Sequence, residues 1–263
     1  MDTGLGQRAA LVCGATGGLG LACARALASE GARVAILGRR GDVARREAAE
    51  LLSVGAPAAI GLDGDLRDPS MPGRVVEAVR DEFGRLDILV LSFGGPAPVT
   101  ALASSDEEME AALELILFPA LRFIRLVATE MQQRGWGRII AIGSSGVIEP
   151  IPGLATSNTA RAALAALLKT LAGEVAASGV TVNMVLPGRL ATERVRQLDE
   201  HRAAQENVSV EEAAARTISR IPAGRYGDPM ELGRVVAFLA SDAASFVTGS
   251  LVRVDGGMIA AVG

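Results

Sequence analysis

The chain has 263 residues, 49% of them apolar and 21% charged, with a formal charge of -4 at pH 7. That balance excludes a disordered chain and gives no electrostatic reason to expect nucleic acid or an anionic membrane as partner. No apolar run is long enough to span a bilayer, no signal peptide is evident after Met1, and Cys13 and Cys23 make no disulfide framework, so a reducing cytoplasm is expected.

The first expected strand, 9–13, runs into Cys13-Gly14-Ala15-Thr16-Gly17-Gly18-Leu19-Gly20 and then a helix over 19–29. Glycines between a strand and a helix allow a tight turn and let the backbone approach a pyrophosphate, which then faces the helix N-terminus. A second strand, 33–37, ends in Gly38-Arg39-Arg40. A NAD site usually places a carboxylate here to hold the ribose 2′-hydroxyl. Gly38 stands in that position, and two guanidinium groups follow. A carboxylate would repel a 2′-phosphate, whereas arginine binds one through paired hydrogen bonds. The expected cofactor is therefore NADP(H), with Arg39 the primary contact and Arg40 beside it.

A helix over 42–52, a strand over 58–62, a helix over 74–83 and a strand over 88–92 follow. Ser104-Ser105-Asp106-Glu107-Glu108 opens the next helix with a capping serine and an acidic first turn, and Pro119 is expected to bend or interrupt it. A strand over 138–142 leads to Gly143-Ser144, a helix covers 161–177, and a sixth strand covers 181–186. Residues 192–225 form a polar excursion with the capping pattern Ser209-x-x-Glu212, read as two short helices. Lying at the carboxyl end of the sheet, where such folds bind ligands, it is a natural lid; an ordinary surface helix pair is the plainer reading. A helix over 229–239 and a strand over 251–254 complete the chain. Apolar strands alternating with helices predict a parallel sheet covered on both faces: an α/β, doubly wound, Rossmann-type fold in one domain, 1–263.

These motifs resemble the short-chain dehydrogenase/reductase family, and within it the bacterial 3-oxoacyl-carrier-protein-reductase-like branch, from about residue 7 to 257. The loop at 13–20 is similar to the family's Thr-Gly-x-x-x-Gly-x-Gly, with Cys13 for threonine. The resemblance implies cofactor contacts from Gly14, Thr16, Gly18, Leu19 and Gly20, from Asp65 and Leu66 near adenine, and from Gly94. It also implies contacts from Pro187, Gly188 and Thr192 along nicotinamide and pyrophosphate, and a homotetramer. The C-terminal stretch from Arg220-Ile221-Pro222 to Asp255-Gly256-Gly257 looks like the family's.

The chemistry residues depart from the pattern. The family's Asn-Asn-Ala-Gly is here Leu91-Ser92-Phe93-Gly94, and Ile116 stands where a helix asparagine holds a water. The serine is kept as Ser144, but thirteen residues later Tyr-x-x-x-Lys is replaced by Ser157-Asn158-Thr159-Ala160-Arg161. Slippage does not restore it, because the only tyrosine is Tyr226 and the only lysine Lys169. In the family the tyrosine moves the carbonyl proton and the lysine tunes it and holds the ribose. Arg161 can hold ribose hydroxyls but stays protonated, and Ser157 is a far weaker acid on a shorter side chain. Ser144, Ser145 and a water held by Arg161 are the local alternatives, and His201 on the lid is a remoter one. The resemblance implies an NADP-dependent oxidoreductase acting on a small carbonyl or alcohol by a nonstandard proton path, with Ser144, Ser157 and Arg161 as its chemistry and no metal. The alternatives are a redox-inactive, cofactor-binding regulator or partner subunit, and a lyase or isomerase on the same fold.

Overall fold

The strand at Ala9–Cys13 (β1) is buried throughout, and its alternate side chains feed opposite cores. Ala9, Leu11 and Cys13 join one apolar cluster, and Ala10 and Val12 the other, as the two-residue repeat of a strand requires. A computed structural model describes residues 3–262. Its other strands are β2 (Arg33–Gly38), β3 (Ala59–Asp63), β4 (Ile88–Ser92), β5 (Gly137–Ile142), β6 (Val180–Pro187) and β7 (Leu251–Val254). They form one seven-stranded parallel sheet in the order β3-β2-β1-β4-β5-β6-β7.

Helices α1 (Gly18–Ser29) and α2 (Gly41–Val54) cover one face. Helices α3 (Met71–Phe83), α4 (Asp106–Gln133) and α5 (Ala155–Val175) cover the other. Then come α6 (Glu193–Glu206), α7 (Val210–Ile218) and α8 (Pro229–Ala240). Helix α8 packs on α1 through Gly233, where a Cβ would meet the Ala22 carbonyl oxygen at 2.5 Å. The architecture is the doubly wound one expected.

Three local expectations are corrected or refined. Helix α4 runs unbroken through Pro119. The proline removes one backbone donor, a loss of about 3 kcal/mol in an isolated helix, but it is buried in a packed stripe with Ile116, Ala120 and Phe123 that holds the helix together. Helix α5 begins at Ala155 rather than 161, so Ser157 and Arg161 share one helix and lie one turn apart. The excursion does hold two helices, α6 and α7, and Ser209 Oγ accepts from Glu212 N–H at 3.1 Å. The Glu212 carboxylate, however, accepts from Arg216 at 2.6 Å.

Candidate active site

Strand order reverses between β1 and β4, and there the chain leaves a crevice at the carboxyl ends. Gly14, at φ 68°, turns out of β1 so close to β4 that a Cβ on it would lie 1.9 Å from the Ser92 carbonyl oxygen. Gly20 is as tightly placed, with a Cβ 2.3 Å from the Gly14 oxygen. Helix α1 opens at Gly18 with Gly17 as N-cap, no side-chain cap and no acidic residue in its first turn. Its first N–H groups thus face the crevice with nothing of opposite sign from the chain's own cap, a disposition that favours an anion. Leu19 packs beneath the loop against the α1-side core.

Thr16 leans over the end of β2. A Cβ on Gly38 would lie 2.3 Å from Thr16 Cγ2 and 3.0 Å from its Oγ1. A side chain at 38 therefore has room only if Thr16 shifts. Arg39 and Arg40 are exposed, and neither side chain has a hydrogen-bond or ion-pair partner among the described residues. On the same side of the crevice, just past β3, Asp65 is gripped by Arg67, whose Nη2 lies 2.7 Å from Oδ2, and this pulls the carboxyl down to about 2. Leu66 packs on the core below.

Ser144 follows β5 and caps a short 3-10 turn at Ser145–Val147, its Oγ accepting from Gly146 N–H at 3.1 Å. As an acceptor there, the hydroxyl keeps its own proton free to donate. Arg161 is only 8% exposed. Its Nη1 donates to the carbonyls of Ile142 and Gly143 at 3.2 Å each, and its Nη2 to those of Phe93 and Gly94 at 3.3 and 3.2 Å. The guanidinium thus clamps the carboxyl ends of β4 and β5, and its four Nη hydrogens have main-chain acceptors. For the ribose contact expected of it, only Nε is left over. Burial lowers its pKa to about 10, which leaves it charged at neutral pH. A Cβ on Gly95 would lie 3.8 Å from Arg161 Nη2 and 3.9 Å from Ser157 Oγ, so both groups border one small space.

Sequence reasoning gave no role to Asn158, yet it fixes the loop behind Ser144. Its Nδ2 donates to the Ile151 carbonyl at 2.9 Å, and Gly146 passes so close that a Cβ would lie 2.4 Å from Asn158 Oδ1. Leu91 and Ile116 are buried in the core.

Residues 14–259 match the model of a protein family described as Enoyl-(Acyl carrier protein) reductase. The 3-oxoacyl-[acyl-carrier-protein] reductase of Escherichia coli K12 is 37% identical over 252 residues, covering 95% of this chain and 96% of that protein. The chain belongs to the short-chain dehydrogenase/reductase family. Among solved structures, the L-sorbose reductase of Gluconobacter frateurii, complexed with NADPH and L-sorbose, superposes with a TM-score of 0.94 at 30% identity, covering 100% of both chains. YwfH, an NADPH-dependent reductase of bacilysin biosynthesis, gives 0.92 at 30% identity over 97% of this chain and 99% of that one.

Within this reductase-type fold, the segment after β6 joins the sheet to the glycine loop. Gly188 lies so near β7's end that a Cβ would fall 2.6 Å from Asp255 Cα. Thr192 caps α6, accepting from Val195 N–H at 3.4 Å, and its methyl lies 3.9 Å from the Cβ position of Gly18. The lone tyrosine lies between α7 and α8, where Tyr226 O–H donates to Asp199 Oδ2 at 2.7 Å. Burial, then this carboxylate, raises its pKa, so the phenol is held as a hydrogen-bond donor. His201 is exposed on α6. No helix among the described residues is long and apolar enough to cross a membrane.

Proposed function

We propose that this protein is an NADP(H)-dependent oxidoreductase acting on a small carbonyl or alcohol, by a proton path that does not use a tyrosine–lysine pair. The observation that carries the cofactor half is the packing of Thr16 over Gly38, which keeps a carboxylate off the end of β2, while the Arg39 guanidinium makes no hydrogen bond or ion pair among the described residues and feels Asp65 only through space. The crevice residues fit such a molecule. Gly14, Gly18 and Gly20 let backbone approach the pyrophosphate, Thr16 and Leu19 line the loop, and Arg39 with Arg40 meets the 2′-phosphate. Asp65 and Leu66 border the adenine end, and Gly94, Pro187, Gly188 and Thr192 the nicotinamide end. When bound, the cofactor supplies or accepts a hydride.

The remaining work falls to the chain's own residues. Ser144 donates a hydrogen bond to the substrate oxygen, Ser157 shares the space at Gly95, and the buried Arg161 charge stabilises negative charge building on that oxygen. Lacking a neutral form near pH 7, Arg161 moves no proton itself. The proton comes from solvent through Ser144 or Ser157. Helices α6 and α7 serve as the lid, with Thr192 coupling them to the glycine loop. A homotetramer in the cytoplasm accompanies this reading, supported by Phe118 and Leu126 exposed on α4; sedimentation of the purified protein tests it.

The deciding experiment mixes protein, NADPH and a panel of small ketones and diketones, and follows loss of NADPH absorbance. One observation favours the redox-inactive alternative: the four Nη hydrogens of Arg161 all bond main-chain carbonyls. Tight NADPH binding with no consumption on any carbonyl would select it.

A further inference from the structure

Arg189 follows Gly188 at the carboxyl end of the sheet, next to the strand that delivers Ser144. Strands β5 and β6 pair through Ile142 and Val185, and Gly143 N–H donates to the Val185 carbonyl at 2.8 Å. The Arg189 carbonyl accepts from Gly227 N–H at 3.0 Å, which sets Tyr226 beside it. Three charged groups and a phenol meet under the lid here: Arg189, Asp199, Arg202 and Tyr226. Asp199 is buried and already engaged twice, by Tyr226 O–H at 2.7 Å and by Arg202 at 3.6 Å. Arg202 also donates to Thr217 Oγ1. Arg189 is half-buried, yet its guanidinium has no hydrogen bond or ion pair among the described residues. Burial first, then Arg202, lowers its pKa, and Asp199 only partly offsets them. The cluster therefore carries one cation more than its carboxylate neutralises. Beside it lies a cavity of about 480 Å³ lined by Thr192, Arg196, Tyr226 and the carboxylates of Glu193, Asp199 and Glu211; Arg189 stands outside that acidic lining.

A half-buried guanidinium without an acceptor is an anion site, because its fork of donors matches a carboxylate and water reaches it poorly. We propose that Arg189 binds a carboxylate on the substrate, so that the protein acts on oxo acids or hydroxy acids in preference to neutral ketones and alcohols. This rests on the oxidoreductase reading for the reaction, though the anion site stands on its own geometry. Tyr226 and Arg202 engage Asp199, so its carboxylate makes no ion pair with Arg189 and only partly offsets that charge.

The test uses 2-oxohexanoate and its methyl ester, titrated calorimetrically into the whole protein with and without saturating NADPH. The parent should bind the acid at least about ten-fold more tightly than the ester, the scale of one charged hydrogen-bonded pair. Arg189→Gln should bring the ratio near one with NADPH affinity unchanged, and Arg189→Lys should keep part of the preference. The inference is overturned if the parent shows no preference or no binding of the acid, or if the ratio survives Arg189→Gln. It is equally overturned if the variant's main loss is in NADPH affinity, which would assign Arg189 to the cofactor. Should Arg189→Gln not fold, an undiminished ratio in Arg189→Lys overturns the proposal and a reduced one supports it. An Arg189-dependent preference, together with no loss of NADPH absorbance on 2-oxohexanoate or on any carbonyl of the panel, would retain the anion site and refute the oxidoreductase reading alone.

Discussion

Introducing an acidic residue at the end of β2 is the obvious way to turn an NADP site into a NAD site, and here we expect Gly38→Asp alone to fail. The new Cβ would lie 2.3 Å from Thr16 Cγ2, well inside van der Waals contact. Overpacking of this kind costs about 1–3 kcal/mol. At about 2–4 °C per kcal/mol for a chain of this size, melting should fall by about 2–12 °C. The displaced Thr16 also belongs to the glycine loop, so both cofactors should bind worse. Adding Thr16→Ala removes Cγ2 and Oγ1 and leaves the Cβ contact at 3.2 Å, tight but within what a neighbour can yield. The pair Thr16→Ala with Gly38→Asp should recover most of the stability and shift preference toward NADH, since the carboxylate attracts a ribose hydroxyl and repels a 2′-phosphate. Arg39→Ala, by contrast, should fold normally and lose about 1.5–3 kcal/mol of NADPH binding, about 10–100-fold, with NADH little changed. Calorimetry with both cofactors and thermal melts of the four proteins measure all of this. A Gly38→Asp variant that melts with the parent, or a parent that binds both cofactors equally, would refute the reasoning.

Arg161→Met removes the donor to four main-chain carbonyls, and a buried acceptor left unpaired costs about 1–3 kcal/mol, so it should lower stability to denaturant and weaken NADPH binding together as the β4 and β5 ends loosen. Unchanged stability would rule out the clamp. The Arg225 guanidinium, and then Asp228 N–H, hold the Glu231 carboxyl at about 2, below its ordinary 4.5. A folded-state pKa below the unfolded one contributes stability above the ordinary value and loses it as pH falls toward the depressed one. The gap in melting temperature between parent and Glu231→Gln should therefore hold steady from neutral pH to about 4.5 and narrow below it toward about 2; a gap independent of pH would remove Glu231 from the account. Burial raises both thiols, Cys23 to about 12, so neither cysteine should be alkylated before the protein unfolds, as mass spectrometry of iodoacetamide-treated protein can check.

The alternation of apolar strands with helices was enough to read the sheet, because strands buried on both faces carry a continuous apolar signal. Residues 9–13, 88–92 and 251–254 are strands as read. The glycine loop was legible for the same local reason. The early start of α5 was not: Thr156, Ser157, Asn158 and Thr159 are weak helix formers, Pro152 and Gly153 precede them, and no side chain caps the helix. Tertiary contacts override that propensity, including Ala155 N–H on the Val99 carbonyl at 3.0 Å and Asn158 on Ile151. The partners of Arg161 were hidden for a different reason. They are main-chain carbonyls from two strand ends, 18 to 68 residues away, and main chain has no letter in a sequence. Thr16 against Gly38, and Tyr226 on Asp199, are likewise pairs made only by folding.

The clamp sharpens what restoring the family's pair should do. Ser157→Tyr places a phenol over Gly95, close to a charge already in place at Arg161. Arg161→Lys gives the family's cation, but one ammonium cannot serve four carbonyls in the planar geometry the guanidinium spans. We therefore expect the double variant to melt below the parent and to show weak NADPH-dependent reduction of a small diketone. General acid catalysis is worth about 10²–10⁴-fold, and a loosened site, with apolar Leu91 and Ile116 buried where the family has polar residues, should recover only part of it. Neither single change should suffice: tyrosine alone lacks the lysine's placement, and lysine alone has no phenol to activate. A folded double variant that binds NADPH and gains nothing on any carbonyl would mean that proton supply is not what the site lacks. A parent that reduces a substrate well, and loses that activity in the double variant, would mean that Ser157 and Arg161 form a working site of their own. Ser144→Ala in the parent would then show whether the substrate oxygen is held where the geometry puts it.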